Sequence, residues 1–282
     1  MATDQPVESL LDGATVVVTG ASSGIGRELA VQLGGRAAVL VLLARRMDRL
    51  EQLRDELVAR HPGLRVVILS VDLADEPAVE RVVNDIHAQV GPVDVLVNNA
   101  GVGDQVLFDR AEWPRTRALL YTNVIGVAHL TSAFVPSMVE RGRGGVINIG
   151  SGAGLTIMPA SAAYSASKHF VDGFSEALRA DLAGTGVTVT QVCPGPVDSE
   201  FDATAGSVGG MAGGPPPFMR IDAATCAREA IAGFDRKAAL VVPGRVFRVA
   251  MAVLPLVPRP LVRWRAARAA AGVRGAGGGS PR

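Results

Sequence analysis

The chain has 282 residues, 48% of them hydrophobic, with two cysteines and a formal net charge of +1. That length suits one large α/β domain with a sizeable core, and two cysteines exclude a disulfide framework and point to a reducing compartment. The small net charge hides an asymmetry: all 27 acids lie at or before Asp235, so residues 236–282 hold ten Lys/Arg and no acid, against −9 for the rest.

In chain order, residues 1–11 are short and acidic, without a basic start or an apolar secretory core, and read as a flexible, non-exported N-terminus. Short β-rich runs then alternate with amphipathic segments, the pattern of a doubly wound parallel α/β sheet. Seven strands are expected near 14–19, 37–43, 65–70, 93–97, 144–149, 187–192 and 239–242. Helices are expected near 24–34, 47–60, 76–89, 109–139, 161–183 and 222–234. Asp75 before Glu76-Pro77 predicts an N-cap, and Pro136 predicts an end or bend in the fourth helix. Cys193, after the apolar run 187–192, reads as a small buried filler. The organisation predicted is one domain over 12–243, with a lid near 200–220, and a basic, apolar tail over 244–282 whose last ten or so residues are disordered.

After the first strand, Thr19-Gly20-Ala21-Ser22-Ser23-Gly24-Ile25-Gly26 opens directly into a helix. Glycines allow a tight turn and close backbone approach to a pyrophosphate, and the helix N-terminus offers free N–H groups. A glycine-rich turn without a ligand is the alternative, weakened by the strand before it and the helix after it. Cofactor choice is read at the end of the second strand, where an acid would bind the ribose 2′-hydroxyl of NAD. Here stand Leu43-Ala44-Arg45-Arg46. Arginine there suits a 2′-phosphate, so NADP(H) is the predicted cofactor; the competing reading is two solvated helix-start side chains.

The chain has two lysines and two tyrosines, and one of each, Tyr164 and Lys168, stands four residues apart, with Ser151 thirteen residues upstream. Residues so spaced share a helix face. A tyrosine ordinarily titrates near ~10, and a neighbouring cation favours its phenolate, making a proton donor or acceptor usable near neutral pH.

With these pieces in place the chain resembles the short-chain dehydrogenase/reductase family, in its single-domain, NADP(H)-dependent branch, over about residues 12–243. The resemblance rests on Thr-Gly-x-x-x-Gly-x-Gly at 19–26, Asp72, Asn98-Asn99-Ala100-Gly101, Asn123, Ser151, Tyr164, Lys168 and Pro194-Gly195. It implies a Rossmann fold and hydride transfer between NADP(H) and a carbonyl or secondary alcohol. It implies Tyr164 as general acid/base, Ser151 as the hydroxyl positioning the substrate oxygen, and Lys168 as the group lowering the tyrosine's pKa and binding the nicotinamide ribose. Asn123 would hold a proton-relay water. Cofactor contacts would come from Gly20, Ser22, Ser23, Gly24, Ile25, Gly26, Arg45, Arg46, Asp72 and Leu73 at the adenosine end. Asn99, Ala100, Gly101, Tyr164, Lys168, Pro194, Gly195, Val197 and Ser199 would line the rest of the groove. Ser199 stands where the family usually has threonine, which keeps the hydroxyl, and Gly150 stands where serine is common.

Residues 200–220 fall where the resemblance implies a substrate lid, and Met211, with Phe218 and Met219, is expected to line an apolar, lipid-like substrate pocket beside Ser151 and Tyr164; a disordered loop that touches no substrate is the competing reading. The tail's apolar run 246–257 is too short to span a bilayer. Basic residues interleaved with Trp264 suit an anionic membrane surface; packing on the body or on a neighbouring subunit is the competing reading. His129 and His169 lack a partner at ligand spacing, so no metal site is predicted, and no nucleic-acid module is present. The resemblance implies a homodimer or homotetramer through 109–139 and 161–183, and the expected location is cytoplasmic or membrane-peripheral. An NADP(H)-binding regulatory or scaffold protein on the same fold is the alternative from another class.

Overall fold

The structure is a computed structural model that describes residues 9–198, 200–201 and 217–276. Its first half alternates β1 (Thr15–Thr19), α1 (Gly24–Leu33), β2 (Val39–Ala44), α2 (Met47–Arg60), β3 (Arg65–Ser70), α3 (Glu76–Val90) and β4 (Val95–Asn98). Next come α4 (Trp113–Leu120), α5 (Gly126–Glu140), β5 (Gly144–Ile149), α6 (Ala162–Asp181) and β6 (Val187–Val192). The remainder comprises β7 (Val197–Asp198), β8 (Ile221–Asp222), α7 (Ala223–Asp235), β9 (Leu240–Val241), α8 (Arg245–Val253) and α9 (Arg259–Ala276).

Seven strands form one parallel sheet in the order β3-β2-β1-β4-β5-β6-β9. Successive side chains of a strand point to opposite faces. Val16, Val18, Leu40 and Leu42 therefore pack into one layer with Leu29, Leu33, Ala230 and Phe234 of α1 and α7. Val17, Val41 and Leu43 enter the other, with Val82, Ile86, Leu130, Phe134 and Met138 of α3 and α5. Burial on both faces explains why the strands read as continuous apolar runs. Strand order reverses between β1 and β4, and in open sheets of this kind ligands bind beyond the strand C-termini at that crevice.

Asp75 caps α3 as expected, accepting from the Ala78 N–H at 3.3 Å. Three expectations are corrected. The fourth helix begins at Trp113, not 109, because Pro114 fits only its first turn; Phe108–Arg110 is a separate 3₁₀ turn. Pro136 does not end the helix, which runs through it to Glu140. The lost backbone bond costs ~3 kcal/mol, offset by burial of Phe134, Val135 and Met138 at ~1.5–3 kcal/mol each. Residues 272–276 are helical, held by the buried Val273 and an Arg274–Asp109 ion pair at 2.8 Å; residues 277–282 lie outside the described part. The core also takes in Leu11, fully buried in the α1/α7 layer.

Candidate active site

Three turns at the C-terminal edge of the sheet converge. The first follows β1. Thr19 Oγ1 accepts from the backbone N–H groups of Asn99 and Ala100, both at 2.9 Å, and the Asn99 carboxamide donates back to the Thr19 carbonyl at 2.8 Å. These bonds weld the turn to the end of β4. Gly20 adopts φ +66°, and a Cβ on Gly26 would lie 2.4 Å from the Gly20 carbonyl oxygen. Only glycine fits this pinched turn, and the first N–H groups of α1 lack intrahelical partners, as at any helix start. Ser23 precedes the helix without capping it by its side chain, and such open donors suit a phosphate. The residues present therefore fit a dinucleotide.

The second group is basic. Arg46 reaches back to the glycine turn, donating to Ser22 Oγ at 3.1 Å and Ser23 Oγ at 2.9 Å. It also bonds Glu200 at 3.0 Å, and Arg49, one helical turn on, reaches the same carboxylate at 2.7 Å. Arg49 first, then Arg46, holds the Glu200 carboxyl below the usual carboxylate range. Arg45 points elsewhere: it is 69% exposed and 3.9 Å from Asp72. Asp72 itself accepts from the Ala74 N–H at 3.0 Å, and Leu73 is buried against Gly126.

The third group lies beyond β5. Lys168, one turn after Tyr164 on α6, is buried and donates to the Ile149 carbonyl at 2.9 Å. Its Nζ sits 5.9 Å from the centre of the Tyr164 ring. Burial pulls its pKa down to about 8. Ser151, two residues past Ile149, caps the 3₁₀ turn Gly152–Gly154, accepting from the Ala153 N–H at 3.1 Å. That turn rests on α6, where Ser165 Oγ donates to the Ala153 carbonyl at 2.9 Å, and a Cβ on Gly154 would meet the Lys168 carbonyl. Packing thus sets Ser151, Tyr164 and Lys168 around the end of one strand.

Asn123 lies in a π-helical turn, Tyr121–Ile125, between α4 and α5, a distortion frequent at functional sites. Its carboxamide is buried, accepts from the Val102 N–H at 2.8 Å, and donates to the Val102 carbonyl at 2.9 Å and Ser167 Oγ at 3.0 Å. It therefore pins the loop after Gly101 to α6; a Cβ on Gly101 would stand 3.5 Å from Asn123 Oδ1 and 3.6 Å from Lys168 Nζ.

Beyond β6, the Pro194 carbonyl accepts from the Gly152 N–H at 2.8 Å. Val197 pairs with Ile221, and Asp198 bonds Arg220 at 2.6 Å, so both ends of the intervening segment are clasped together. Ser199 and Met211 lie outside the described residues. The buried Cys193 thiol is pushed up to about 12 by burial, as a packing residue would be. His169 Nδ1 lies 2.8 Å from the Ser165 carbonyl. Among the described residues no three His, Cys, Asp or Glu side chains gather into a metal-binding group.

Arg49, Glu200 and Phe247 were not singled out from the sequence. Arg49 carried a signal, standing three residues after Arg46 on one helix face. Glu200 and Phe247 carried none, because they arrive from distant segments; the Phe247 ring lies where a Cβ on Gly152 or Gly195 would stand.

The sequence profile described as "short chain dehydrogenase" matches residues 14–207. An uncharacterised oxidoreductase of Myxococcus xanthus is 44% identical over 190 residues, covering 67% of this chain and 74% of that protein. A short-chain dehydrogenase from Sphingobium yanoikuyae, solved with NADPH, is similar at TM-score 0.76 and 28% identity, covering 86% of this chain and 92% of that one. A Burkholderia phymatum short-chain dehydrogenase/reductase, solved with NAD, is similar at TM-score 0.75 and 25% identity, covering 86% and 93%. The glycine turn, the parallel sheet and these likenesses agree: the chain belongs to the short-chain dehydrogenase family, oxidoreductases that act on CH–OH and C=O groups with a nicotinamide dinucleotide.

Proposed function

We propose that the protein is an NADP(H)-dependent carbonyl reductase or alcohol dehydrogenase for an apolar substrate, with Tyr164 as its general acid/base. The observation that carries this is the placement of Lys168. Burying an ammonium group is costly, and a buried lysine with a lowered pKa beside a titratable neighbour is a functional-site candidate. Here it lies on the same helix face as Tyr164, beside the strand end that presents Ser151.

The bound dinucleotide supplies or accepts the hydride. The protein's part is to hold it and to manage the proton. Gly20 and the N–H groups of Ser22 to Gly26 hold the pyrophosphate, Asp72 and Leu73 the adenine, and Asn99, Ala100 and Gly101 the central groove. Pro194, Gly195, Val197 and Ser199 hold the carboxamide end, and Lys168 binds the ribose. Tyr164 donates its proton to the carbonyl oxygen in reduction and removes it in oxidation, while Ser151 steadies that oxygen as charge develops. Asn123 acts by fixing the Val102 loop and, through a water, serves the lysine.

NADP(H) preference is supported by Arg46, seated against Ser22 and Ser23, with Arg45 at the rim. Glu200 stands as a carboxylate already bound to Arg46 and Arg49; on this reading the 2′-phosphate replaces it. The chemistry belongs to residues 12–243, in a cytoplasmic homodimer or homotetramer.

The test is nicotinamide oxidation followed by absorbance across a panel of apolar ketones and aldehydes, with NADPH and NADH in parallel. Turnover of at least one carbonyl with NADPH preferred is expected. Cofactor binding with no turnover across the panel would favour a sensor over an enzyme.

A further inference from the structure

The C-terminal helices present apolar side chains that no described residue covers. Among the described residues fourteen large apolar side chains are exposed, and six of them (Val246, Val249, Val253, Leu256, Leu261 and Trp264) fall within residues 246–264. Helix α8 carries two apolar faces. Phe247 and Met251, four apart, turn inward onto Cys193 and Val242. Val246, Val249 and Val253, spaced by three and four, share a second face and are 48–63% exposed. A helix that only packed on the body would need one such stripe.

Helix α9 repeats the arrangement. Leu261, Trp264, Arg265 and Arg268, at i, i+3, i+4 and i+7, share one outer face, with the Arg268 guanidinium 5.6 Å from the Trp264 ring centre. On the other side Val273 is buried. Charge decides what the outer face meets. Arg248 and Arg274 are paired with Glu229 and Asp109. Among the described residues, Arg245, Arg259, Arg263, Arg265 and Arg268 have no carboxylate within ion-pair distance, and residues 236–282 contain no acid at all. Exposed apolar side chains, a tryptophan and arginines without a described carboxylate partner are what helices lying in an anionic lipid interface present.

We infer that α8 and α9 form a membrane-docking face for an anionic bilayer. The inner side of the docking helix is also a wall of the candidate site: the Phe247 ring lies against Gly152 and Gly195, neighbours of Ser151 and Pro194. Resting on the active-site reading above, this makes the bilayer the source of an apolar carbonyl substrate, delivered at the helix that borders the site.

The test is flotation of the full chain with vesicles of phosphatidylcholine alone and of phosphatidylcholine mixed with phosphatidylglycerol. Partition into the mixed vesicles, weakened by salt, is expected. Replacing Val249→Glu together with Val253→Glu should weaken it at least about tenfold. The pair Arg265→Gln and Arg268→Gln should cost about fivefold per arginine. Both double variants should turn over a water-soluble ketone at the parent rate, which certifies the fold. Tyr164→Phe should float like the parent, so loss of its turnover touches only the active-site reading. No partition into mixed vesicles at low salt, or partition indifferent to both double variants, would overturn the inference. So would a self-associated form that the valine substitutions dissolve without any vesicle binding, which would assign the face to a second copy of the chain.

Discussion

The two ends of the groove are built on opposite principles. Around Tyr164 the polar groups are buried and partnered within the protein: Lys168 to Ile149, Asn123 to Val102 and Ser167, and Ser167 to the Tyr164 carbonyl at 2.7 Å. At the adenosine end the polar groups are exposed and share a replaceable partner. Arg46 and Arg49 are 40% and 36% exposed around a half-exposed Glu200. A buried constellation is fixed before any ligand arrives, which suits chemistry on a proton. An exposed ion cluster exchanges partners at small cost, which suits selection between two cofactors differing by one phosphate.

The sharpest way to break the comparison is at the buried end. Tyr164→Phe removes one hydroxyl from a half-buried ring that also packs 5.7 Å from Phe201. The fold and cofactor binding should survive, and turnover should fall by ~10²–10⁴. Single-turnover kinetics with parent-like NADPH affinity would measure this. A turnover within a factor of ten would place the proton on another group.

Lys168 makes two opposite predictions with pH. Its pKa is about 8 in the fold against an ordinary 10.5. Between those values the unfolded chain holds the proton and the folded chain does not, so unfolding stability rises with pH across that window. The gain in cofactor-free protein should total roughly 3 kcal/mol, absent from Lys168→Met. Turnover should move the other way, declining above about pH 8 as the ammonium beside Tyr164 loses its charge. Denaturant midpoints and pH–rate profiles of both proteins check the pair of signs.

Asn123→Ala comes next. It strips partners from the Val102 N–H, the Val102 carbonyl and Ser167, and leaving such groups unpaired should cost ~2–4 kcal/mol. A denaturant midpoint near that of the parent would mean that the Val102 loop is held by something else.

How much of this was legible in the sequence follows the same divide. The strands and α1 to α3 were readable because each strand's continuous apolar run and each helix's stripe are local patterns, and Asp75 announced its cap. Ser151, Tyr164 and Lys168 were readable because spacing along one helix and one strand end brings them together. The start of the fourth helix was misread because Pro114 admits only a first-turn position, and the helix runs through Pro136 because burial of Phe134 and Met138, which no local window contains, overrides the proline. The role of Asn123 as a clamp on Val102 depends on a π-helical turn that no propensity foretells. Glu200 meets Arg46 across 154 positions and Phe247 meets Gly152 across 95, so only the folded chain pairs them.

The smallest expected effects lie at the exposed end, and they sharpen the comparison most. Arg46→Ala removes the cation seated against Ser22 and Ser23 and should raise the Michaelis constant for NADPH about tenfold or more, with little change for NADH. Arg45→Ala should raise it less, since its side chain is 69% exposed and holds Asp72 only at 3.9 Å. Glu200→Gln works in the reverse sense. Its carboxylate is charged at neutral pH, and Arg49 and Arg46 hold its pKa below the usual carboxylate range, so the parent must surrender two exposed ion pairs before those arginines can face a phosphate. Removing the charge should lower the Michaelis constant for NADPH a few-fold and leave NADH unmoved. If Glu200→Gln instead weakens NADH and leaves NADPH as it was, the carboxylate is serving a ribose hydroxyl, and the cofactor preference is NAD.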